Sequence, residues 1–214
     1  MKLPVASEGL MFIVPLALAT LVLFLLGWGK AGWVALVLLL FVTYFFRDPE
    51  RVAPVGEDLI VSPADGVVVQ IDTAYQSPDH PEGSVCVSIF LSVFNVHVQR
   101  TPAAGKVLRK FYNKGKFMAA WDHKASLDNE QELMVIQTAG GVISVKQIAG
   151  LIARRIVNWA TVGQSLEKGE RFGLIRFGSR VDLIVPAGTE IISKIGDKVA
   201  GGETVMARFG AAAK

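Results

Sequence analysis

The sequence predicts a two-part protein, with a helical hairpin at the N-terminus followed by a β-rich domain that carries one or two short helices. Three observations support this division. Residues 9–29 contain no charged side chain, and a second uncharged run follows at residues 31–46. From residue 57 onward, β-branched stretches alternate with Gly and Pro turns. Hydrophobic residues make up 51% of the chain, and the mean hydropathy of +0.43 is high because of the first part.

The first uncharged run is long enough to cross a bilayer as a helix, whereas the second is close to the lower length limit. A helical hairpin buried within a soluble protein is the alternative. A cleaved signal peptide is disfavoured because a second apolar run follows at once. The two runs therefore predict a membrane anchor over residues 1–46.

The charges that flank the hairpin predict its orientation. Lys2 precedes the first run, Arg47 and Arg51 follow the second, and the connecting turn holds one lysine. The positive-inside bias favours the cytoplasm for both flanks, with Trp28 and Trp33 at the opposite interface.

Residues 47–56 are polar, contain prolines and predict a linker to a β-rich domain over residues 57–214. Alternation around a Pro-Ala-Asp-Gly turn predicts two strands, and the next apolar run is long enough for two strands or one bent strand. A hairpin is expected at the Gly140-Gly141 turn. Apolar spacing in AGLIARRIVNWA favours a helix. These stretches are residues 59–72, 84–100, 132–148 and 149–160.

Two stretches resemble each other, DLIVSPADGVVVQI at residues 58–71 and DLIVPAGTEIISKI at residues 182–195. Each has a strand, a Pro-Ala turn and another strand, which is similar to the barrel-sandwich halves of biotinyl and lipoyl domains. Those carriers are modified on a lysine at a hairpin tip. Lys198 lies near such a turn but lacks the usual neighbours, so the likeness indicates a barrel-sandwich-like fold, which does not give function.

The composition argues against several classes of site. The single cysteine, Cys86, rules out an intrachain disulfide framework. His80, His97 and His123 show no metal-ligand spacing, so no metal site is expected. The net charge of +3 beside an apolar anchor suggests attraction to anionic lipid headgroups. No nucleic-acid recognition motif accompanies that charge, and no nucleic-acid partner is expected.

A Gly-Ser pair interrupts the strand-like stretch RFGLIRFGSRVDLIVPAG at residues 171–188. Glycine inside a strand usually marks a bulge or a close backbone approach. A bulge with a serine on its rim is the plain interpretation. The alternative is that the Gly178–Ser179 peptide bond is itself a reactant.

A reactive Ser179 needs a base, because a serine hydroxyl is a weak nucleophile. His97 and His123 are candidate bases, and Asp65 is a candidate for orienting a histidine. Each also has a structural explanation, since Asp65 precedes a glycine in a turn, His97 alternates with valines and His123 lies among charged residues. The spacing alone leaves both explanations open.

The motifs taken together, in their order along the chain, indicate a family more specifically than any single motif does. Behind the hairpin come FFRDPER, SPADG, FLSVFNVHVQRTPAAG, GKF, QIAGLIARRI, ERFGLIRFGSRVD and GETVMAR. This series resembles the short bacterial and archaeal form of phosphatidylserine decarboxylase, over essentially the whole chain. RFGSRVD and FNVHVQR are the most specific motifs.

The resemblance implies a pyruvoyl enzyme that is made as a zymogen. Ser179 Oγ would attack the Gly178 carbonyl and form an ester, and loss of the α-proton would expel the Gly178 carboxylate. Hydrolysis of the resulting dehydroalanine would release ammonia and leave a pyruvoyl group, with no metal and no external cofactor. Its carbonyl would take up the amine of phosphatidylserine and yield phosphatidylethanolamine and CO₂. The products of self-cleavage would be residues 1–178 and 179–214, held together as a heterodimer.

The resemblance also assigns Asp65 and His97 to the catalytic machinery. The longer proteobacterial form has a second histidine three positions after the first, where this chain has Arg100. His97 therefore covers both self-cleavage and proton transfer, or another residue takes one role. Arg180 follows the serine and is expected to bind a substrate carboxylate or phosphate, or else to pair with Asp182. Arg100 is the second expected substrate-binding residue.

The substrate of such an enzyme is a membrane phospholipid. We expect the hairpin to hold the protein in the cell inner (plasma) membrane, with the catalytic domain in the cytoplasm as the flanking charges predict. Residues 109–121 interleave basic and aromatic side chains, which suits a membrane interface, and a solvated strand pair and loop is the alternative. The competing functional interpretation is a membrane-anchored, non-enzymatic barrel-sandwich adaptor, or a carrier modified on Lys198.

Overall fold

The computed structural model describes residues 4–77, 80–115, 129–150, 155–176 and 179–210, with the backbone alone at residues 81, 82 and 179. The chain divides into two compact units, Met1–Glu50 and Arg51–Lys214.

The first unit is a pair of helices, α1 (Ser7–Leu25) and α2 (Gly29–Phe45). Gly32 lets them approach closely, because a Cβ at that position would lie 2.9 Å from the Phe24 ring. The same ring meets Trp33 edge-on, with centroids 5.7 Å apart. Thr20 and Thr43 donate their hydroxyl hydrogens to carbonyls of their own helices, so neither hydroxyl needs a water partner.

The helix lengths agree with the sequence analysis. With 19 mostly apolar residues, α1 is long enough to cross a membrane, and α2 is shorter at 17 residues. The two ends of the hairpin are joined, since Ala6 N–H donates to Phe46 O at 2.8 Å and Asp48 N–H donates to Pro4 O at 2.8 Å. Both ends of the hairpin therefore lie together.

The described residues of the second unit form strands. They are β1 (Leu59–Val61), β2 (Gly66–Ser77), β3 (His80–Leu91), β4 (Val98–Arg100), β5 (Gly105–Asn113), β6 (Gln131–Thr138), β7 (Gly141–Ala149), β8 (Ile156–Asn158), β9 (Ser165–Leu166), β10 (Arg171–Ile175), β11 (Ser179–Val185), β12 (Glu190–Ile191), β13 (Lys198–Val199) and β14 (Val205–Arg208).

These strands form one large sheet and two small ones. The large sheet has eight strands in the order β13-β2-β3-β11-β7-β6-β5-β9, and the small sheets have the orders β1-β14-β12 and β4-β10-β8. The strand pairs are antiparallel. The curled, β-rich domain, which follows two helices in the sequence, confirms the predicted fold class.

Strand β11 lies in the middle of the large sheet, between β3 and β7. Its alternate side chains Val181, Leu183 and Val185 are fully buried in the hydrophobic core. Two paired neighbours and a buried face fix the register of this strand, because a one-residue slip would turn those side chains away from the core.

The predictions for individual strands, turns and helices have different outcomes. The long run at residues 84–100 is two strands, β3 and β4, and the Gly140-Gly141 turn joins β6 and β7 as expected. The helix expected over residues 149–160 is not found at either described end, since β7 includes Ala149 and β8 begins at Ile156. Residues 151–154 of that stretch lie outside the described residues.

Candidate active site

The serine that the sequence singles out begins the central strand of the sheet. The backbone of Ser179 pairs with Leu91 of β3 and with Ala149 of β7. Gly178, together with its carbonyl group, lies outside the described residues. The Gly178–Ser179 bond therefore belongs to the connection between β10 and β11, and its serine side is held by strands on both sides.

His97 is buried beside the same connection. It follows a closed turn in which Asn95 Oδ1 accepts hydrogen bonds from Ser92 N at 2.9 Å and from Ser92 Oγ at 2.8 Å. The carbonyl of His97 accepts from Ile175 N at 3.3 Å, at the end of β10. The turn places His97 after β3, whose last residue is paired with Ser179.

The tautomer of His97 follows from its partner. Its Nδ1 lies 3.0 Å from the carbonyl oxygen of Asn95, and a carbonyl can only accept. Nδ1 therefore carries the proton and donates it, which leaves Nε2 as the basic nitrogen of the neutral ring. A buried histidine with this tautomer has the form that a general base requires.

Asp65 lies in the turn between β1 and β2. Arg51 binds its two carboxylate oxygens at 2.5 and 2.9 Å, and Gly201 N–H donates to Oδ1 at 2.8 Å. Arg51 also donates to the carbonyl of Gly201 at 2.6 Å. A bidentate guanidinium and a backbone amide thus fix the carboxylate from two directions.

The sheet register brings Asp65 to the same end as the serine. Val67 pairs with Phe90 of β3, and Phe90 pairs with Arg180 of β11. Neighbouring strands are about 4.8 Å apart, so the start of β2 lies roughly 10 Å from the start of β11. Asp65, His97 and Ser179 therefore share one end of the sheet. Asp65 is oriented by Arg51 and His97 by Asn95, which differs from a triad in which the aspartate orients the histidine.

Arg51 binds the candidate site residue Asp65, but the sequence analysis considered it only as a charge flanking the membrane. It lies in the FFRDPER motif, but nothing local links it to a carboxylate 14 residues away. The contact between Arg51 and Asp65 could be recognised only once the fold was known.

The two arginines expected to bind substrate have partners within the protein. Arg180 Nε lies 2.6 Å from Asp182 Oδ1, and Nη2 donates to Ser88 Oγ at 2.6 Å. Of the two alternatives for Arg180, the structure thus contains the ion pair with Asp182. Arg100 is 4% exposed and donates to the carbonyl of Gly169 at 3.0 Å. Substrate contact by either arginine stays a prediction.

Other candidate residues lie apart from this arrangement or outside the described residues. Burial raises the pKa of the Cys86 thiol well above its usual range, and the charge of Asp182 adds to the effect. Such a thiol is unreactive. In the described parts of the chain, no three His, Cys, Asp or Glu residues are placed to hold a metal ion. His123 lies outside those parts, as do residues 116–121 of the basic-aromatic stretch.

Comparison with known proteins identifies the family. The family model for phosphatidylserine decarboxylase matches residues 38–207. The phosphatidylserine decarboxylase proenzyme of Geotalea uraniireducens (strain Rf4) is 46% identical over 204 residues, and that of Geotalea daltonii is 43% identical over 206 residues. That of Geobacter sp. (strain M21) is 48% identical over 210 residues. The matches cover 95% or 96% of this chain and of each relative. The chain therefore belongs to the phosphatidylserine decarboxylase family.

Proposed function

We propose that this protein decarboxylates phosphatidylserine to phosphatidylethanolamine and CO₂, after cutting its own chain between Gly178 and Ser179. Family membership supports the reaction. The observation that carries the proposal is the position of Ser179 at the first residue of a central strand, at the sheet end shared by His97 and Asp65.

The self-cleavage uses only atoms of the chain and one water. Ser179 Oγ bonds to the carbonyl carbon of Gly178 while the Gly178–Ser179 C–N bond breaks, which gives an ester and a free amine. A base removes the α-proton of residue 179, and the Gly178 carboxylate leaves with the Cβ–O electron pair. Water hydrolyses the resulting dehydroalanine, ammonia is released and a pyruvoyl group remains. His97 Nε2 is the base that we assign to these proton transfers.

The position of residue 179 suits a covalently attached group. The pyruvoyl carbonyl supplies a group that takes up the substrate's amine and accepts the electron pair released with CO₂. The folded chain contributes the positioning of this group and the transfer of protons. The rest of β11, which is paired with β3 and β7 from Arg180 onward, holds the group in place, and His97 holds and delivers a proton.

Self-cleavage leaves the domain assembled in this proposal. Residues 179–214 provide β11, β13 and β14, which pair with β3, β7, β2 and β1 of the larger fragment, and β12, which pairs with β14. The small fragment thus contributes buried core and cannot leave without exposing it. A heterodimer of residues 1–178 and 179–214 follows.

We also infer that residues 1–46 anchor the protein in the cell inner membrane, with residues 47–56 as a linker and residues 57–214 as a cytoplasmic catalytic domain. The apolar helix α1 supports membrane association. The joined ends of the hairpin support a common side for both flanks, and the basic flanks favour the cytoplasm.

The first prediction tests self-cleavage directly. The purified wild-type protein should contain two chains, and the mass of the smaller should match residues 179–214 with serine converted to a pyruvoyl group. Ser179→Ala should remain full length and inactive, because it lacks the attacking oxygen. Ser165→Ala, at an exposed position on β9, is the matched control and should be processed normally. Intact-mass spectrometry and a decarboxylation assay provide the measurements.

A Ser179→Ala protein that still splits at this bond would defeat the proposal. A wild-type protein that stays uncut and shows no decarboxylation would favour the adaptor, and an added mass on Lys198 would favour the carrier.

A further inference from the structure

A charged cleft of about 600 Å³ opens in the β domain. Its walls are the end of β5, the start of β6 and the start of β8. The polar side chains that line it include Tyr112, Lys114, Glu130, Glu132 and Arg155.

Backbone hydrogen bonds connect the cleft walls to both sides of the Gly178–Ser179 connection. On the β10 side, the carbonyl of Arg155 accepts from Arg176 N at 3.2 Å. On the β11 side, the carbonyl of Glu130 accepts from Ala149 N at 2.9 Å, and Ala149 is paired with Ser179. One strand, β7, thus separates Glu130 from residue 179, and Arg155 is bonded to a residue three positions before residue 179 in the chain.

The lining charges are partly compensated within the protein. Glu132 is paired with Lys110 at 2.9 Å, which neutralises it. Glu130 is 5% exposed and accepts a hydrogen bond from the Tyr112 hydroxyl at 2.9 Å. Partial burial of the phenol and this bond to Glu130 raise the pKa of Tyr112, so it remains a donor at neutral pH.

Two cations in the cleft are left for a ligand. Lys114 and Arg155 are exposed, and within the described parts of the chain neither forms an ion pair with a carboxylate. With Glu130 as the remaining anion, the uncompensated lining carries two positive charges and one negative charge. A phosphoserine headgroup carries the opposite set, a phosphodiester and a carboxylate against one ammonium.

We propose that this cleft binds the phosphoserine headgroup of the substrate. Arg155 and Lys114 hold the phosphodiester, and Glu130, oriented by Tyr112, faces the amine. The guanidinium of Arg155 suits the phosphate because its parallel N–H groups donate to two oxygens. This inference rests on the proposed function and adds the residues that select the headgroup.

The test measures binding without chemistry. The full-length Ser179→Ala protein cannot form the pyruvoyl group, so its affinity for soluble glycerophosphoserine reports the cleft alone. In that background, Arg155→Gln and Lys114→Gln should each raise the dissociation constant about 2- to 5-fold, as expected for exposed charge pairs. Lys106→Gln, an equal charge change at the other end of β5, should leave it unchanged. Titration calorimetry measures all four proteins.

Two further measurements sharpen the result. Affinity should fall as salt is raised, because the cations are exposed. Free serine, which has no phosphate, should bind equally to the parent and to Arg155→Gln. Glu130→Gln keeps the size of the side chain and should weaken binding of both ligands, because both contain the amine.

The outcomes separate this inference from the proposed function. Unchanged affinity in Arg155→Gln and Lys114→Gln, an equal loss in Lys106→Gln, salt-independent affinity or no saturable binding would each overturn the cleft assignment. The processed enzyme is assayed on phosphatidylserine in parallel. Wild-type turnover with unaltered KM in the cleft variants would reject the cleft and keep the function, whereas no turnover in processed wild type would reject the function.

Discussion

Arg51 and Asp65 show how single residues connect the two fragments of the proposed enzyme. Arg51 and Asp65 belong to the larger fragment, and both bind Gly201, which belongs to the smaller. The contact of Arg51 with Gly201 and the contact of Asp65 with Gly201 both cross the boundary that self-cleavage creates. The carboxylate of Asp65 is therefore held in place by both fragments, and its orientation does not depend on the intact Gly178–Ser179 bond.

His97 is the residue on which the proposed proton transfers depend. His97→Ala should slow self-cleavage or turnover by roughly 100- to 10,000-fold, the usual contribution of a general acid–base. The reason is the fixed tautomer, in which Asn95 holds Nδ1 and leaves Nε2 to act. Time courses of chain splitting and of CO₂ release measure the two steps separately.

His123→Ala is the control for His97 and should change neither step. The reverse result, with His123 essential and His97 dispensable, would mean that the wrong histidine was assigned. Loss of splitting alone in His97→Ala would show that another residue transfers the proton during turnover.

The motifs could point to single candidate site residues, but they could not identify the partners of those residues. Asp65, His97 and Ser179 stand in recognisable sequence contexts. The Arg180 contact with Ser88 joins residues 92 positions apart. Such contacts depend on the register of β11 against β3, which side-chain identities alone do not encode. For the same reason the sequence alone could not show the contact of Arg180 with Asp182, and substrate contact by Arg180 stays a prediction.

At the scale of elements, β11 combines an apolar face with a buried ion pair. Arg180 and Asp182 lie on the same side of the strand, with side chains 8% and 3% exposed. Removing one member of a buried pair leaves the other charged and unsolvated. The pair therefore ties the first residues after the proposed cleavage site to β3.

Arg180→Ala should lower the free energy of unfolding by about 3–5 kcal/mol, because it strands the Asp182 carboxylate. The double change Arg180→Met with Asp182→Leu should cost much less, because it removes both charges. Urea unfolding of the uncleaved Ser179→Ala background measures the difference without interference from processing. Equal destabilisation by the single and double variants would contradict the stranded Asp182 carboxylate as the cause of the loss.

The stretch at residues 149–160 shows why some elements were easier to predict from the sequence than others. Its apolar residues recur at helical spacing, but strands buried among other strands also produce clustered apolar residues. Pairing decides the outcome, since Ala149 belongs to a strand held between β6 and β11, and Ile156 pairs with Ile175 of β10. The β6–β7 hairpin was predictable because its Gly-Gly turn is a local signal.

For the whole molecule, the division into two compact units predicts independent folding of the β domain. The contacts that hold Asp65, His97 and the start of β11 all lie within Arg51–Lys214. Self-cleavage should therefore not require the helical hairpin. In the proposed function, the hairpin holds the enzyme at the surface that contains its substrate, which would raise the effective substrate concentration.

A protein that begins at Arg47 should consequently split at Gly178–Ser179 as completely as the full chain. Its decarboxylation of phosphatidylserine in vesicles should fall far more than its activity on dispersed short-chain phosphatidylserine, because only the former requires membrane attachment. Residual vesicle binding should weaken with added salt if the basic residues of the 109–121 stretch contribute to it. Vesicle sedimentation, chain splitting and CO₂ release are measured for both proteins. A truncated protein that folds but cannot split would show that the hairpin is part of the catalytic architecture, and equal losses on both substrates would show that it does more than anchor.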